Sequence, residues 1–219
     1  MIDWRVIMSK LIDNPWKEIN LSDYEGHMNL ESVRQLPVLR VILKEQLEAY
    51  DIKKAMILGI AGGAGLEYVQ ENQLEKLYGV DINQSFLSEC LNRFGKLCPM
   101  LELINEDLMD EECVLPETDL VICNLVAEYI GYEALMGAVR KSQAKYASIV
   151  IQVNRKQGFV SDSPYLKAFE RLDEVHCLME EEVLILKMKN QKYELICKKM
   201  EDLPNGKVLV RLDFMQKIC

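Results

Sequence analysis

The fold is decided by the stretch Met56–Glu67, which reads MILGIAGGAGLE. An apolar run leads directly into glycines, and the glycines lead into the segment LEYVQENQ, which we expect to be a helix. Glycine lets the backbone turn tightly and approach a ligand closely. A helix after such a turn presents free N–H groups and the positive end of its dipole. The stretch therefore predicts either a nucleotide-like ligand site or a strand–helix turn that needs glycine only for its geometry.

From Lys54 onwards, short apolar runs alternate with amphipathic segments. The apolar runs are KAMILGI, LEKLYGVDI, MLELI, DLVIC and SIVIQV, at 54–60, 74–82, 100–104, 119–123 and 148–153. Apolar residues recur at helical spacing from Phe86 to Phe94, and Tyr132–Lys141 also has a helical pattern. Near-continuous apolar strands that alternate with helices are typical of a parallel sheet covered on both faces. We expect an α/β fold with a doubly wound sheet.

The C-terminal part has a different pattern. The segments Tyr193–Met200 and Val208–Met215 both look extended, and Pro204-Asn205-Gly206 between them is a turn signal. In the second segment, apolar residues alternate with Arg211 and Asp213, which predicts a half-buried strand. The mostly parallel sheet of seven strands should therefore end in a C-terminal antiparallel hairpin.

Residues 1–50 lack a strand pattern. The apolar residues that fit one face of a helix at 32–50 are Val33, Leu36, Leu39, Leu43 and Leu47, with Pro37 near the helix start or at a kink. The preceding segment NPWKEINLSDYEGHMN, at 14–29, is polar and aromatic, and we expect it to be irregular. We expect residues 1–50 to form an N-terminal helical cap on a domain formed by residues 51–219.

Charge and composition weigh against several classes of function. The net charge of −9 weighs against binding to nucleic acid or to an anionic membrane surface, because both are negatively charged. No apolar stretch approaches the roughly 18 residues that would span a bilayer. The first residues mix charge into apolar sequence, unlike a signal peptide. We expect a cytoplasmic protein with seven reduced cysteines, and no CxxC pair suggests a metal.

Acidic residues follow two of the predicted strands. Asp81 ends the second strand, where a carboxylate can accept both hydroxyls of a ribose. Its alternative role is to cap the predicted helix Ser85–Phe94. Asp107 follows the third strand, where a carboxylate can receive an adenine amino group or can remain a solvated turn acid. Because parallel strands end at one edge of the sheet, we expect the glycines and these acids to converge there.

The spacing of the glycines bears on which nucleotide binds. In Gly63-Ala64-Gly65-Leu66-Glu67-Tyr68, Tyr68 stands at the last small position of a dinucleotide fingerprint, where it would obstruct close packing of helix and strand. This weakens the prediction of an NAD site. A P-loop is excluded because no GK[ST] follows the glycines.

The segments GIAGGAG, GVDIN and NEDL together resemble the class I S-adenosylmethionine-dependent methyltransferases. The resemblance covers about Lys54 to Val153 and implies a Rossmann-like methyltransferase fold, whose seventh strand turns back antiparallel. The family's first motif is commonly an acidic residue followed by x-G-x-G-x-G, but here Gly59 replaces the acid and Ala61 replaces the first glycine. We expect backbone carbonyls or the N-terminal cap to receive the cofactor's amino group instead.

The resemblance also implies roles for individual residues. Those that would line the methionine moiety are Gly59, Ala61, Gly63 and Gly65. Those that would bind adenosine are Asp81 at the ribose, Ile82 against the adenine, and Asp107 with Leu108 at the adenine amino edge. Asn124 would lie beneath the sulfonium. The stretch DYEGHM resembles the segment with which small bacterial methyltransferases cover the cofactor, so Tyr24 and Met28 join the set.

The acceptor is expected to be a small molecule, with protein as the second alternative. The segment after the fourth strand reads NLVAEY and lacks the [DNS]PP[YFW] motif of nucleic-acid amino-methyltransferases. A general base is needed only when the nucleophile starts protonated. The candidates are His27, Glu25, Glu128 and Tyr129, and each has a structural alternative such as capping or packing.

We expect DYEGHM to be a loop that closes over the cofactor as a lid, with Gly26 providing backbone freedom. Two rival classes stay open. One is an NAD-type Rossmann oxidoreductase. The other is a methyltransferase-like protein that binds its ligand without catalysis.

Overall fold

A computed structural model describes residues 14–69, 74–154 and 160–217, and these contain one seven-stranded sheet of order β3-β2-β1-β4-β5-β7-β6. The strands are β1 (Lys54–Leu58), β2 (Lys76–Asp81), β3 (Leu101–Asn105), β4 (Leu120–Asn124), β5 (Tyr146–Asn154), β6 (Tyr193–Asp202) and β7 (Lys207–Gln216). Strands β1 to β5 are parallel, and β7 runs antiparallel between β5 and β6. The predicted doubly wound sheet and its C-terminal hairpin are confirmed.

Helices cover both faces of the sheet. They are α1 (Leu21–Asn29), α2 (Gln35–Glu48), α3 (Gln84–Phe94), α4 (Ala127–Lys141) and α5 (Glu181–Asn190). Along β1, Ala55 and Ile57 pack with residues of α2 and α3, whereas Met56 and Leu58 pack with residues of α4 and α5. Successive side chains of a strand point to opposite faces, so a strand buried on both sides is expected to be mostly apolar.

Local signals explain where two helices begin. The side chain of Asn83 caps α3 by accepting hydrogen bonds from the backbone N–H groups of Ser85 and Phe86. Pro37 is the third residue of α2, as expected for a proline near a helix start, where its missing N–H removes no helical hydrogen bond. Helix α4 begins at Ala127, earlier than the predicted Tyr132, and is kinked at Gly131, whose φ is 76°.

The prediction of an irregular segment at 14–29 was wrong. Pro15–Lys17 forms a 3₁₀ turn, and Leu21–Asn29 is α1. Leu21, Tyr24 and Met28 follow the i, i+3, i+7 spacing of one helical face and pack into apolar clusters. Gly26 does not provide freedom, because a Cβ there would lie 2.5 Å from the ring of Tyr165. The helix is therefore held by close packing.

The helix predicted after the glycines is not formed in the part of it that the structure describes. The described part of LEYVQENQ contains only a 3₁₀ turn, Leu66–Tyr68, and residues 70–73 lie outside the described residues. Within this turn, Leu66 is buried whereas Tyr68 is 39% exposed. Tyr68 therefore cannot obstruct helix packing, and the sequence argument that used it against NAD does not apply.

Strand β7 is buried on both faces, so the prediction of a half-buried strand was wrong. Helix α2 and the residues that follow it cover the face expected to meet solvent. Arg211 and Asp213 are 3% and 0% exposed and pair at 2.6 Å. Asp213 also accepts hydrogen bonds from Tyr50 Oη at 2.8 Å and Ser148 Oγ at 2.5 Å. A charged pair with these partners satisfies its hydrogen bonds inside the protein.

No helix among the described residues is long and apolar enough to cross a membrane. The described residues also contain no cluster of three or more side chains that could hold a metal ion. The six described cysteines are free thiols, and Cys219 lies outside the described residues.

Candidate functional site

A cavity opens at the edge of the sheet where the parallel strands end. Its volume, measured as the space available to the centres of water molecules, is about 130 Å³. The predicted residues that the strand ends bring to its wall are Gly59, Ala61, Asp81, Ile82, Asp107, Leu108 and Asn124. Helix α1 contributes Tyr24, His27 and Met28. Four loops and the N-terminal helix thus converge on one place, as ligand sites in open α/β sheets do.

Asp81 is tied to the loops around it. Its Oδ2 accepts a hydrogen bond from the backbone N–H of Ala61 at 2.9 Å, and its Oδ1 accepts one from Asn83 at 2.9 Å. Burial raises the pKa of Asp81 to about 6, although these hydrogen bonds favour the ionised form. Asn83, not Asp81, caps α3, so the capping alternative for Asp81 was wrong.

The end of β3 forms the neighbouring wall. Asn105 Nδ2 donates hydrogen bonds of 3.0 Å to the backbone oxygens of Asp81 and Ile82, which holds β3 against the end of β2. Asp107 Oδ1 accepts from the backbone N–H of Met109 at 2.9 Å, which orients this carboxylate. Glu106 also lines the cavity, so this wall is acidic.

Asn124 is oriented from behind by α2. Its side-chain amide exchanges two hydrogen bonds of 2.9 Å with that of Gln46, which is fully buried. Gln46 also donates to Ser148 Oγ at 2.8 Å. The residue that fixes Asn124 therefore comes from helix α2, and no local sequence signal connects the two.

The loop that follows β1, at 59–65, is called the glycine loop here. Its small residues fall into two groups. Gly59 and Ala61 line the cavity with φ values of 68° and 47°, in the left-handed region that favours glycine. Gly63 and Gly65 do not line it. A Cβ on Gly63 would lie 2.8 Å from Cys90 Sγ of α3, and one on Gly65 would lie 2.8 Å from Leu43 Cδ2 of α2. These two glycines permit helix packing.

Aromatic side chains form another part of the cavity wall. Those that line the cavity are Trp16, Tyr24, Phe86, Tyr129 and Phe169. The ring centroids of Trp16 and Tyr129 are 4.8 Å apart in an edge-to-face arrangement, and those of Tyr24 and Phe86 are 5.9 Å apart. Trp16 Nε1 is buried and has no hydrogen-bond partner among the described residues. Sequence reasoning missed Phe86 and Phe169 because both have ordinary helical spacing.

His27 faces the cavity from α1. Its Nδ1 lies 2.7 Å from Ser163 Oγ, and its ring packs on Phe169 at a centroid distance of 5.0 Å. Burial, together with the positive charge of Lys207, lowers the pKa of His27 below its usual value of 6.5. The imidazole is therefore neutral at pH 7 and suited to accept a proton.

The other catalytic candidates have different surroundings. Tyr129 lines the cavity, and burial raises its pKa well above 10, so its hydroxyl stays protonated. Glu128 lies outside the cavity wall and its Oε1 accepts from the backbone N–H of Gln152 at 2.7 Å. Burial raises the pKa of Glu128 to about 7. Glu25 is not on this cavity either, and its carboxylate pairs with Arg93 at 2.6 Å.

Solved structures with the same architecture include methyltransferases and a cyclase. Magnesium protoporphyrin IX methyltransferase from Synechocystis PCC 6803, solved with bound S-adenosylmethionine, is 10% identical, with a TM-score of 0.64 over 99% of both chains. The N-methyltransferase NodS from Bradyrhizobium japonicum WM9, solved with S-adenosylhomocysteine, is 12% identical, with a TM-score of 0.62 over 94% of this chain and 100% of that one. The [4+2]-cyclase SpnF is 10% identical, with a TM-score of 0.61 over 83% and 82%.

No family model matches the sequence, and no curated protein matches it. The structural likeness, at these identities, concerns the fold. The chain has the fold of the class I S-adenosylmethionine-dependent methyltransferases.

Proposed function

We propose that this protein binds S-adenosylmethionine and transfers its methyl group to a small-molecule acceptor. The observation that carries the proposal is the position of Asp81. Its carboxylate lies at the end of β2 on the wall of the cavity, and the glycine loop and the start of α3 hold it through backbone hydrogen bonds. A carboxylate so oriented can accept both hydroxyls of a ribose.

The surrounding residues suit the adenosine end of the cofactor. Ile82 and Leu108 are apolar side chains on the wall of the same cavity and would contact the adenine. Asp107 lies at the same wall and can accept from the adenine amino group. Asn124, held by Gln46, would lie beneath the sulfonium. The acidic wall and the aromatic rings both favour a cationic ligand.

The glycine loop argues for a nucleoside ligand over a dinucleotide. In NAD-binding proteins the pyrophosphate sits at the N-terminus of the helix that follows the glycines. Here the described residues after Gly65 form only a 3₁₀ turn, and no lysine or arginine is among the described residues that line the cavity. A pyrophosphate would meet Asp81, Glu106 and Asp107 instead, which disfavours the oxidoreductase alternative.

The acceptor would occupy the aromatic side of the cavity. When bound, S-adenosylmethionine supplies a methyl group already activated by the sulfonium, so this chain's residues chiefly position the acceptor and exclude water. His27 would take a proton from a protonated nucleophile. The hydroxyl of Tyr129 and the indole N–H of Trp16 would donate hydrogen bonds to acceptor oxygens. The net charge of −9 disfavours a nucleic-acid acceptor.

Transfer is tested with S-adenosylmethionine labelled in its methyl group and an extract of the source cells, separated afterwards into small molecules, protein and nucleic acid. We expect the label in the small-molecule fraction with the wild-type protein and not with Asp81→Asn. Label in protein or nucleic acid would contradict the acceptor class. Binding without any transfer would support the alternative of a non-catalytic binding protein.

A further inference from the structure

A second, smaller cavity of about 50 Å³ lies between α1, α2 and the glycine loop. It shares four wall residues with the first cavity: Tyr24, Gly59, Ala61 and Asn124. Its wall is mostly apolar and includes leucines of α2. Glu25 carries the one charged side chain among the described residues that line it. A ligand held at Asp81 in the first cavity therefore has an extension of the site beside the glycine loop.

Glu25 is fixed against this loop. Its two carboxylate oxygens accept hydrogen bonds from Arg93 Nη1 at 2.6 Å and Nη2 at 3.2 Å. A Cβ on Gly62 would lie 2.8 Å from Glu25 Oε1, so the carboxylate rests on the backbone of the loop. The side chain is 21% exposed. Because a carboxylate offers about four acceptor positions, the two bonds from Arg93 leave acceptor capacity for a ligand.

We propose that Glu25 binds the α-ammonium group of the methionine end of the cofactor. This inference rests on the proposed function. With adenosine at Asp81, the aminocarboxypropyl chain extends past Gly59 and Ala61, the residues common to the two cavities. Gly59 has no side chain to receive the ammonium group, and Glu25 is the carboxylate on the wall beyond it. Arg93 is then a positioning residue that holds the carboxylate in place.

A comparison of the affinities of two ligands distinguishes the contact with Glu25 from the contacts made by the rest of the site. S-adenosylhomocysteine and 5′-methylthioadenosine share the adenosine and the sulfur, but only the first has the aminocarboxypropyl chain. We expect Glu25→Gln to weaken S-adenosylhomocysteine binding by roughly tenfold or more, as for the loss of a charge-assisted hydrogen bond. Binding of 5′-methylthioadenosine should change less than about twofold. Calorimetric titration measures both dissociation constants.

Control variants test whether the effect comes from the carboxylate or from a loosened helix α1. Glu89 is the other acidic partner of Arg93, at 2.9 Å, and Glu89→Gln should change neither affinity. Arg93→Met removes the ion pair but keeps the Glu25 carboxylate, so S-adenosylhomocysteine should still bind more tightly than 5′-methylthioadenosine, by a smaller factor than in the wild type because the carboxylate is held less firmly. Asp81→Asn should weaken both ligands alike.

Three outcomes would overturn the proposal. Equal weakening of both ligands by Glu25→Gln would show that Glu25 only holds α1 in place. Unchanged binding of both ligands would show that Glu25 contacts neither. If Arg93→Met bound S-adenosylhomocysteine no more tightly than 5′-methylthioadenosine, the ion pair and not the Glu25 carboxylate would account for the difference between the two ligands. If the wild-type protein binds neither ligand, the proposed function fails, and this proposal fails with it.

Discussion

Asp81 Oδ2 accepts a hydrogen bond from the backbone N–H of Ala61 at 2.9 Å, and this contact joins the carboxylate at the end of β2 to the glycine loop that follows β1. The two elements are 20 residues apart in sequence. Ala61 adopts a φ of 47°, which L-residues rarely do. The hydrogen bond to Asp81 helps to hold this backbone conformation, and the loop in turn orients the carboxylate. Both the stability of the loop and the binding of a ligand should therefore respond to Asp81.

The buried carboxylate of Asp81 should make stability depend on pH. Its pKa of about 6 in the folded protein lies above the unfolded value of about 3.9, so the folded state binds the proton more tightly. The stabilisation from this proton is fully present below about pH 4 and is lost as pH rises through 6. Relative to Asp81→Asn, the wild-type free energy of unfolding should fall by about 2–3 kcal/mol between those limits. Urea unfolding of both proteins across this range measures the difference, and parallel pH curves would contradict the assignment.

Gly59 should not tolerate a side chain. A Cβ there would lie 2.3 Å from Val126 Cγ2, and the φ of 68° adds backbone strain. Gly59→Ala should lower the free energy of unfolding by about 1–3 kcal/mol. Gly137→Ala is the matched control. Gly137 lies inside helix α4, and the nearest atom to a Cβ there would be 4.0 Å away, so the change should raise stability by about 0.5–1 kcal/mol. Equal effects of the two changes in chemical denaturation would refute this explanation of the glycine.

The buried pair of Arg211 and Asp213 should be needed for folding. Asp213→Ala leaves the Arg211 guanidinium buried without its main partner, so the free energy of unfolding should fall by about 3–5 kcal/mol. Glu45→Gln removes a longer contact to Arg211, at 3.4 Å, and an exposed ion pair with Lys199, at 2.6 Å, and should cost less than about 1 kcal/mol. A small effect of Asp213→Ala in urea unfolding would mean that water reaches the pair.

Helix α1 should act as the cover of the ligand site. Tyr24, His27 and Met28 line the cavity, so a bound ligand should stabilise this helix against local opening. Hydrogen exchange of the amides at 22–30 should slow when S-adenosylhomocysteine is added. The edge strand β6 serves as the internal control, because it lies far from the cavity in the sheet order. If the ligand binds but exchange at 22–30 is unchanged, α1 is not a lid.

The strands could be predicted from sequence because each of the first five contains a short, mostly apolar run. The strand-end residues Asp81, Asp107 and Asn124 could be placed for the same reason, since parallel strands end at one edge. Their convergence on one cavity follows from the order of the strands.

Other parts of the site depend on contacts between residues distant in sequence. Helix α1 was missed because its apolar face, Leu21, Tyr24 and Met28, is mixed with polar residues in a short segment. The pairing of Glu25 with Arg93 spans 68 residues, and the packing of Gly63 against Cys90 needs the position of α3. The burial of Arg211 and Asp213 depends on where α2 lies across the sheet. Local sequence patterns carry none of this information.

The most direct test of the account is calorimetric titration of the wild-type protein with S-adenosylhomocysteine and with NAD. We expect S-adenosylhomocysteine to bind and NAD to give no comparable signal. Asp81→Asn should lower the affinity for S-adenosylhomocysteine by roughly tenfold or more, because it removes a charged acceptor. Glu128→Gln, which neutralises a buried carboxyl off the cavity wall, should leave the affinity unchanged. Tight binding of NAD without any response to S-adenosylhomocysteine, or equal affinity in Asp81→Asn and the wild type, would contradict the account.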